Sequence, residues 1–319
     1  MDQRLGYQPQ LDGLRAIAIV AVLVHHAAIL LVDARWFASS GWLGVDLFFV
    51  LSGFLITRIV IDRYHFDGER EPWLFYQRRF YRLFPALAAV AIAQLAYVAA
   101  KYRSETLYAA ADGLAAVFYV ANFRTGGFLG QTWSLAIEEQ FYLVAAPLLL
   151  LALRRHMRWS TLAWIAGAAV AAVVIWRFIA WDGDFAGQYK RTDLRADAVL
   201  VGVLIGCAWP RIRTFNFRMA GAVAIAMFVV AVIAVPHEAS VWFLGGFTAI
   251  AAVCAVAVLA AARGDLPLLA IPPFVMVGRL SYSLYLWHFP IFIAVALARR
   301  DTTTSGVVAG VLTAAASVA

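Results

Sequence analysis

Long apolar stretches separated by short polar loops make up most of this chain. The apolar runs cover approximately residues 13–32, 41–61, 84–100, 133–153, 161–181, 195–210, 217–235, 241–262, 280–298 and 305–319. A helix crossing a bilayer needs about 20 mostly apolar residues. Inside lipid, a single segment must satisfy its own backbone hydrogen bonds, which a helix does. The pattern therefore predicts an all-α, polytopic integral membrane bundle of about ten spans, with residues 1–319 forming one domain. The final run stops at Ala319 after about 15 residues, short for a span, so the last helix reads as incomplete.

One weaker run, 106–121, contains Asp112 and Gly113. Its placement sets the sidedness of everything after it. With the N-terminus inside and 106–121 kept out of the bilayer, most of the 26 Lys and Arg residues fall on the inner side. Threading 106–121 across evens out the two sides, which the positive-inside rule disfavours. The expected topology is multi-pass with a cytoplasmic N-terminus, and 101–132 is an outer segment at or near the membrane surface. The run 13–32 has a passable cleavage spacing after it, but it carries His25 and His26 and reads as a retained helix, not a signal peptide.

Composition agrees with the pattern. The chain is 64% hydrophobic and 14% charged, with a mean hydropathy of +0.79. Soluble domains are about 45–50% apolar and about 25% charged. A typical soluble enzyme, a disordered chain and a nucleic-acid-binding domain are excluded. The net charge of +7 then marks inner loops facing anionic lipid, not a nucleic-acid partner. Cys207 and Cys254 both lie in apolar stretches and read as small core residues.

The chemistry lies in polar residues that lipid would penalise. In LDGLRAIAIVAVLVHH, Arg15 and His26 share one helical face, about three turns and roughly 16 Å apart. Asp12 stands at i−3 from Arg15 and can pair with it. A histidine there can serve as base or acyl acceptor at neutral pH, or as a structural hydrogen-bond partner of another helix. His25 faces about 100° away and is the weaker candidate.

In GWLGVDLFFVLSGFLITR, Asp46 and Ser52 interrupt an apolar span, and Gly41, Gly44 and Gly53 suit close helix packing. In FYQRRFYRLFP, Arg78 and Arg82 share a face beside Arg79, an inner-side cluster suited to phosphate or to anionic lipid. In QTWSLAIEEQFYL, Ser134, Glu138 and Tyr142 share a face, with Glu139 and Trp133 beside them. That pattern suits acid–base work, a cation, or a capped helix start. In RTDLRADAVLVG, Arg195 and Asp197 suggest an internal ion pair. In GRLSYSLYLWHFP, Ser281, Tyr285 and His288 form one polar stripe with Arg279 at its inner end, and Pro290 is expected to kink the helix.

Taken together and in this order, the six segments resemble the signature set of the membrane acyltransferase-3 family, the O-acyltransferases of bacterial envelopes. The likeness spans residues 10–290. It implies transfer of an acyl group, commonly acetyl from acetyl-CoA, onto a hydroxyl of an extracytoplasmic glycan. The family's essential Arg and His fall on Arg15 and His26, its arginine-rich inner loop on Arg78, Arg79 and Arg82, and its carboxylate motif on Glu138 and Glu139. Many members continue with a further closing segment, and some then carry an extracytoplasmic SGNH-type hydrolase-fold domain; this sequence stops before either, and reads as cut off or as lacking its closing helix.

The joined reading is an O-acetyltransferase of the plasma (inner) membrane, with acyl-CoA, an envelope glycan or glycosylated acceptor, and the lipid bilayer as partners. Arg78, Arg79 and Arg82 hold the CoA phosphates, and Arg15 with Asp12 positions the donor. His26 acts as general base or carries the acyl group. Glu138 and Asp46 shape the acceptor site, and Ser52, Glu139, Trp133, Tyr285 and His288 are further substrate contacts. No metal-ligand set is evident in the sequence. The rival class is a multi-span transporter of a small anionic or sugar substrate, since polar residues in mid-membrane also mark transport pathways. No internal repeat supports it.

Overall fold

A computed structural model describes residues 4–32, 39–124, 126–236 and 240–299. Every apolar run within those residues forms a helix, and all regular structure among them is helical. In chain order the helices are α1 (Pro9–Leu30), α2 (Gly44–Asp62), α3 (Pro72–Lys101), α4 (Thr106–Val117), α5 (Trp133–Arg154) and α6 (Trp159–Ala180). They continue with α7 (Phe185–Tyr189), α8 (Thr192–Ile212), α9 (Arg218–Ala234), α10 (Gly246–Arg263) and α11 (Pro272–Arg299). The expected run 305–319 lies outside the described residues.

Seven segments are long and apolar enough to cross a membrane, those built on α1, α2, α3, α5, α6, α10 and α11. The expected count of about ten is therefore reached only in part. Two further apolar runs also form helices. α8 has 21 residues but carries Asp193, Arg195 and Asp197 in its first two turns. α9 has 17 residues. α4 has 12 residues, roughly 18 Å of helix, which is shorter than the hydrocarbon core.

Local chemistry sets the helix limits. α1 and α3 each begin with a proline in the first turn, where the missing N–H costs no helical bond. α10 ends at Gly264, whose φ of +80° lets its N–H and that of Asp265 return to the last carbonyls. Asp265 then accepts from Phe217 N at 2.9 Å and ties the start of α9 to the end of α10. One helix differs from the sequence reading. α3 starts at Pro72, so the Arg78–Arg82 cluster sits on the span's own first turns and not in a loop, and Pro85 lies inside the helix. α11 continues past Pro290, where the sequence predicts a kink and not an end, to Arg299.

α2 is the hub. It packs on α8, α1, α5 and α10, and most of its apolar stretch is buried, whereas α6 lies on the periphery. Gly53 and Gly202 let α2 and α8 meet backbone to backbone: a Cβ on Gly202 would stand 2.8 Å from the Gly53 Cα. α1 packs most extensively on α11. There Gly278 faces the backbone of Asp12, and Gly13 faces Leu269 in the turn before α11. Cys207 and Cys254 are buried free thiols, as the sequence suggested.

The sequence reading paired Arg195 with Asp197, and the structure corrects this. Two residues apart on a helix, the side chains point to different faces. Arg195 reaches α2 and bonds Asp46 at 2.9 Å, while Asp197 accepts from Arg177 of α6 at 2.9 Å. Thr248 of α10 joins the second pair, donating to Asp197 at 2.6 Å and accepting from Arg177 at 2.5 Å. All four charged side chains are at most 1% exposed.

Candidate active site

A cavity of about 600 Å³ opens among α1, α2, α3, α5 and α11. Its rim is basic, with Arg15, Arg63, Arg78, Arg79, Arg82 and Arg279 all lining it. Five of the six predicted segments contribute to its lining, and three of them supply the rim arginines Arg15, Arg78, Arg79, Arg82 and Arg279. The first turns of α1 and α3 and the early part of α11 meet at one end of the bundle, held by the Gly13 and Gly278 contacts.

The arginines are not equally engaged. Arg15 bonds Asp12 at 2.6 Å, as the i, i+3 spacing predicted, and Asp12 also accepts from the Tyr7 hydroxyl at 2.9 Å. Arg279 donates to Tyr7 at 2.8 Å and lies 3.7 Å from Asp12. Arg63 and Arg78 both face Glu69, at 3.6 and 2.6 Å. Arg79 bonds Glu139 at 2.7 Å, approaches Glu138 at 3.9 Å, and lays its guanidinium 3.9 Å from the centre of the Tyr142 ring. Arg82 is exposed and has no ion-pair partner among the described residues. The rim thus keeps more cationic charge than its own carboxylates neutralise, which suits a polyanionic ligand.

The rest of the wall mixes apolar side chains, among them Val45, Phe48, Leu55 and Leu135, with the polar groups Ser52, Ser134, Glu138, Tyr142 and Tyr285. Ser52 donates to Glu138 at 3.1 Å, and the Tyr142 hydroxyl lies 3.4 Å from the other Glu138 oxygen. Ser134, Glu138 and Tyr142 all line the cavity, as their shared helical face predicted. Tyr285 is also on the wall, its hydroxyl 2.8 Å from Ser134 and donating to the Gln131 carbonyl at 2.7 Å.

His26 and His288 do not line this cavity. They lie behind Tyr285, whose ring is 5.5 Å from that of His288. His26 is 5% exposed and His288 4%. His26 Nδ1 stands 3.0 Å from the Val22 carbonyl and 3.2 Å from His288 Nε2. His288 Nδ1 stands 2.7 Å from the Tyr285 carbonyl. The predicted stripe on α11 therefore divides: Ser281 and Tyr285 face the cavity, while His288 faces α1. His25 turns elsewhere, its Cβ only 2.6 Å from where a Cβ of Gly41 would stand.

Two other predicted contacts also lie off the cavity. Asp46 is engaged with Arg195. Trp133 is 2% exposed and packs its ring against Tyr189 and Phe49.

Tyr7, Arg63, Tyr119 and Tyr282 line the cavity and were not singled out from sequence. Tyr119 has φ +55°, unusual for a bulky residue, and Gln140 holds its carbonyl at 2.9 Å. No composition signal marks it. Tyr282 directly follows Ser281 of the polar stripe, and its hydroxyl donates to Leu83 O at 2.9 Å.

Outside the spans, a second polar group surrounds Asp112 of α4. Asp112 accepts from Phe128 N at 2.7 Å and Arg124 Nε at 3.2 Å. Burial is the main reason its carboxyl is pushed up to about 6, against the pull of those partners. Burial likewise pulls Lys190 down to about 8, with the charge of Asp112 opposing.

Comparison with known proteins adds to this geometry. O-acetyltransferase OatA of Staphylococcus aureus is 30% identical over 316 residues in strain NCTC 8325 / PS 47 and equally so in strain COL, covering 91% of this chain and 51% of the relative. A protein of strain MSSA476 that carries O-acetyltransferase as a provisional name is 29% identical over 317 residues, with the same coverage. The chain thus spans about half the length of the curated relatives it matches. No solved structure matches it. The acyltransferase-3 family, described as an acyltransferase domain, matches residues 8–319, and this chain belongs to that family.

Proposed function

We propose that this chain is the membrane domain of an O-acetyltransferase of the plasma membrane, taking acetyl from acetyl-CoA on the cytoplasmic side. The acceptor is a hydroxyl of an extracytoplasmic glycan or glycosylated molecule. One observation carries the reading: a single cavity runs from an arginine rim to Tyr285, directly in front of a buried histidine pair. Phosphates of CoA suit the rim, where Arg82 is without an internal partner and Arg78 and Arg79 flank it. Arg15, held by Asp12, positions the donor along the face that leads to His26.

The chemistry follows from the histidine's state. His26 Nε2 has no hydrogen-bond partner among the described residues. As a base it takes the proton of the acceptor hydroxyl while that oxygen attacks the thioester carbon. The carbon–sulfur bond breaks, and the departing CoA thiolate takes up the proton. Glu138, bonded by Ser52 and near Tyr142, orients groups on the cavity wall. This reading requires the N-terminus in the cytoplasm, an orientation the distribution of Lys and Arg supports, so that the arginine rim faces the side that holds CoA.

Membranes with and without the expressed full protein are incubated with radiolabelled acetyl-CoA, and label in extractable glycan is measured. Transfer by wild type that disappears in His26→Ala, with normal insertion, is expected. Undiminished transfer by that variant overturns the role of His26. Absence of any CoA-dependent transfer by wild type overturns the enzyme reading in favour of a transporter.

A further inference from the structure

The two histidines meet in a way that fixes the proton on each ring. The Val22 and Tyr285 carbonyls can only accept, so the nitrogens beside them, Nδ1 of His26 and Nδ1 of His288, carry hydrogens. His288 Nε2 is then a lone pair, and it stands 3.2 Å from the Nδ1–H of His26. His26 Nε2 is left as a bare lone pair in a buried setting. Phe289 closes one side of His26, with ring centres 5.1 Å apart, and Phe292 lies 5.7 Å from His288. The pair comes from α1 and α11, the helices in most extensive contact, which holds the separation.

From this geometry we propose that His288 is a positioning residue for His26, sharing with the Val22 carbonyl the Nδ1–H that leaves Nε2 as the basic nitrogen, and accepting more strongly from Nδ1–H when His26 becomes a cation. The proposal rests on the reading of His26 as the base. In the resting state the contact is a neutral, shared hydrogen bond of modest worth. Once Nε2 takes the acceptor's proton, Nδ1–H belongs to an imidazolium, and the bond to His288 Nε2 becomes charge-assisted. The proton on Nε2 then passes to the CoA sulfur, and the ring returns to neutral. His288 itself gains and loses no proton. An interaction stronger in the transition state than in the ground state appears in kcat and leaves KM alone.

Two measurements on the full protein in detergent or nanodiscs test this. The first needs no activity: ¹⁵N-imidazole NMR of wild type, with the His26 signals assigned by their loss in His26→Gln. A protonated Nδ1 and an unprotonated Nε2 are expected at His26; the reverse tautomer overturns the proposal. The second is a kinetic comparison. His288→Phe, which removes the acceptor, is expected to lower kcat by on the order of tenfold with an unchanged KM for acetyl-CoA. His288→Gln offers a side-chain oxygen that can accept the same bond and is expected to stay within about threefold of wild type. Equal losses in both variants, or a loss confined to KM, overturn the positioning role. Wild type inactive toward every acceptor defeats the acyltransferase reading, while the NMR result still decides whether the histidine pair exists.

Discussion

Gly278 and Gly167 both sit inside long apolar helices, and helix propensity alone treats them alike. Replacing either by alanine is worth up to about 1 kcal/mol of stability on that basis. The structure separates them. A Cβ on Gly167 would meet nothing within 4 Å. A Cβ on Gly278 would stand 2.5 Å from the carbonyl carbon of Asp12, and nearer still to its oxygen. Both obstructing atoms are backbone, so no rotamer change relieves them. Restoring a carbon–carbon contact of 3.4 Å requires α11 to move away from α1 by roughly 1 Å. A gap of that size forfeits a quarter to a half of each contact's dispersion well along the seam.

Overpacking of this kind costs about 3 kcal/mol. Gly278→Ala is therefore expected to lower the melting temperature clearly, and Gly167→Ala to leave it level or raise it slightly. Thermal unfolding of the two variants in the same detergent reads the difference. The displacement also acts on Asp12, which holds Arg15 and Tyr7, so acetyl transfer by Gly278→Ala should fall even well below its melting point. Gly278→Ala melting with wild type and retaining full transfer would refute the close approach of the two backbones and the packing argument built on it.

Three further expectations follow from the charged groups. Arg79→Lys should cut acetyl transfer by about 10- to 100-fold, because an ammonium cannot bond Glu139, face Glu138 and cover the Tyr142 ring together; full activity in a labelled acetyl-CoA assay would remove Arg79 from the site. Arg177→Met should destabilise by about 3 kcal/mol by stranding Asp197, and the double change Arg177→Met with Asp197→Leu should recover most of the loss; a double variant no more stable than the single, by thermal unfolding, would contradict this. Asp112 has its pKa raised on folding from 3.8 to about 6, so its support for the fold is greatest below about pH 4 and declines as the pH climbs through 6. Asp112→Asn should flatten this slope, worth about 2 kcal/mol, and melting curves of the two proteins that stay parallel from pH 4 to 7 would refute the assignment.

The fold was legible where one physical requirement dominated. Spans must be long and apolar, so the runs at 13–32, 133–153 and 161–181 mark α1, α5 and α6 closely. The start of α3 was not legible, because Trp73 to Arg82 mixes aromatics with arginines and no apolar run announces a helix there. The site was legible in its residue types and in its faces: the shared face of Ser134, Glu138 and Tyr142 does line one wall. What spacing along one helix does not encode is which neighbour each face meets. Tyr285 and His288 occupy the same stripe, yet that stripe straddles a seam, with the cavity on one side and α1 on the other. The partners of Asp46 and Arg177 were hidden for the same reason, since each finds its counter-charge on a helix distant in sequence.

The crossed ion pairs on α8 bear on how the protein is made. Arg195 and Asp197 lie in the early turns of this helix, where a charge is penalised less than the about 2.5–3.5 kcal/mol of a helix centre but still opposes insertion. Alone, α8 is a poor candidate to partition from the translocon into lipid. Its counter-charges, Asp46 on α2 and Arg177 on α6, are both synthesised earlier. α2 and α6, both long and apolar enough to span, therefore precede α8 in synthesis and offer it a docking face of opposite charge. The order of helices along the gene thus supplies, to a segment too polar to insert by itself, its own insertion chaperone.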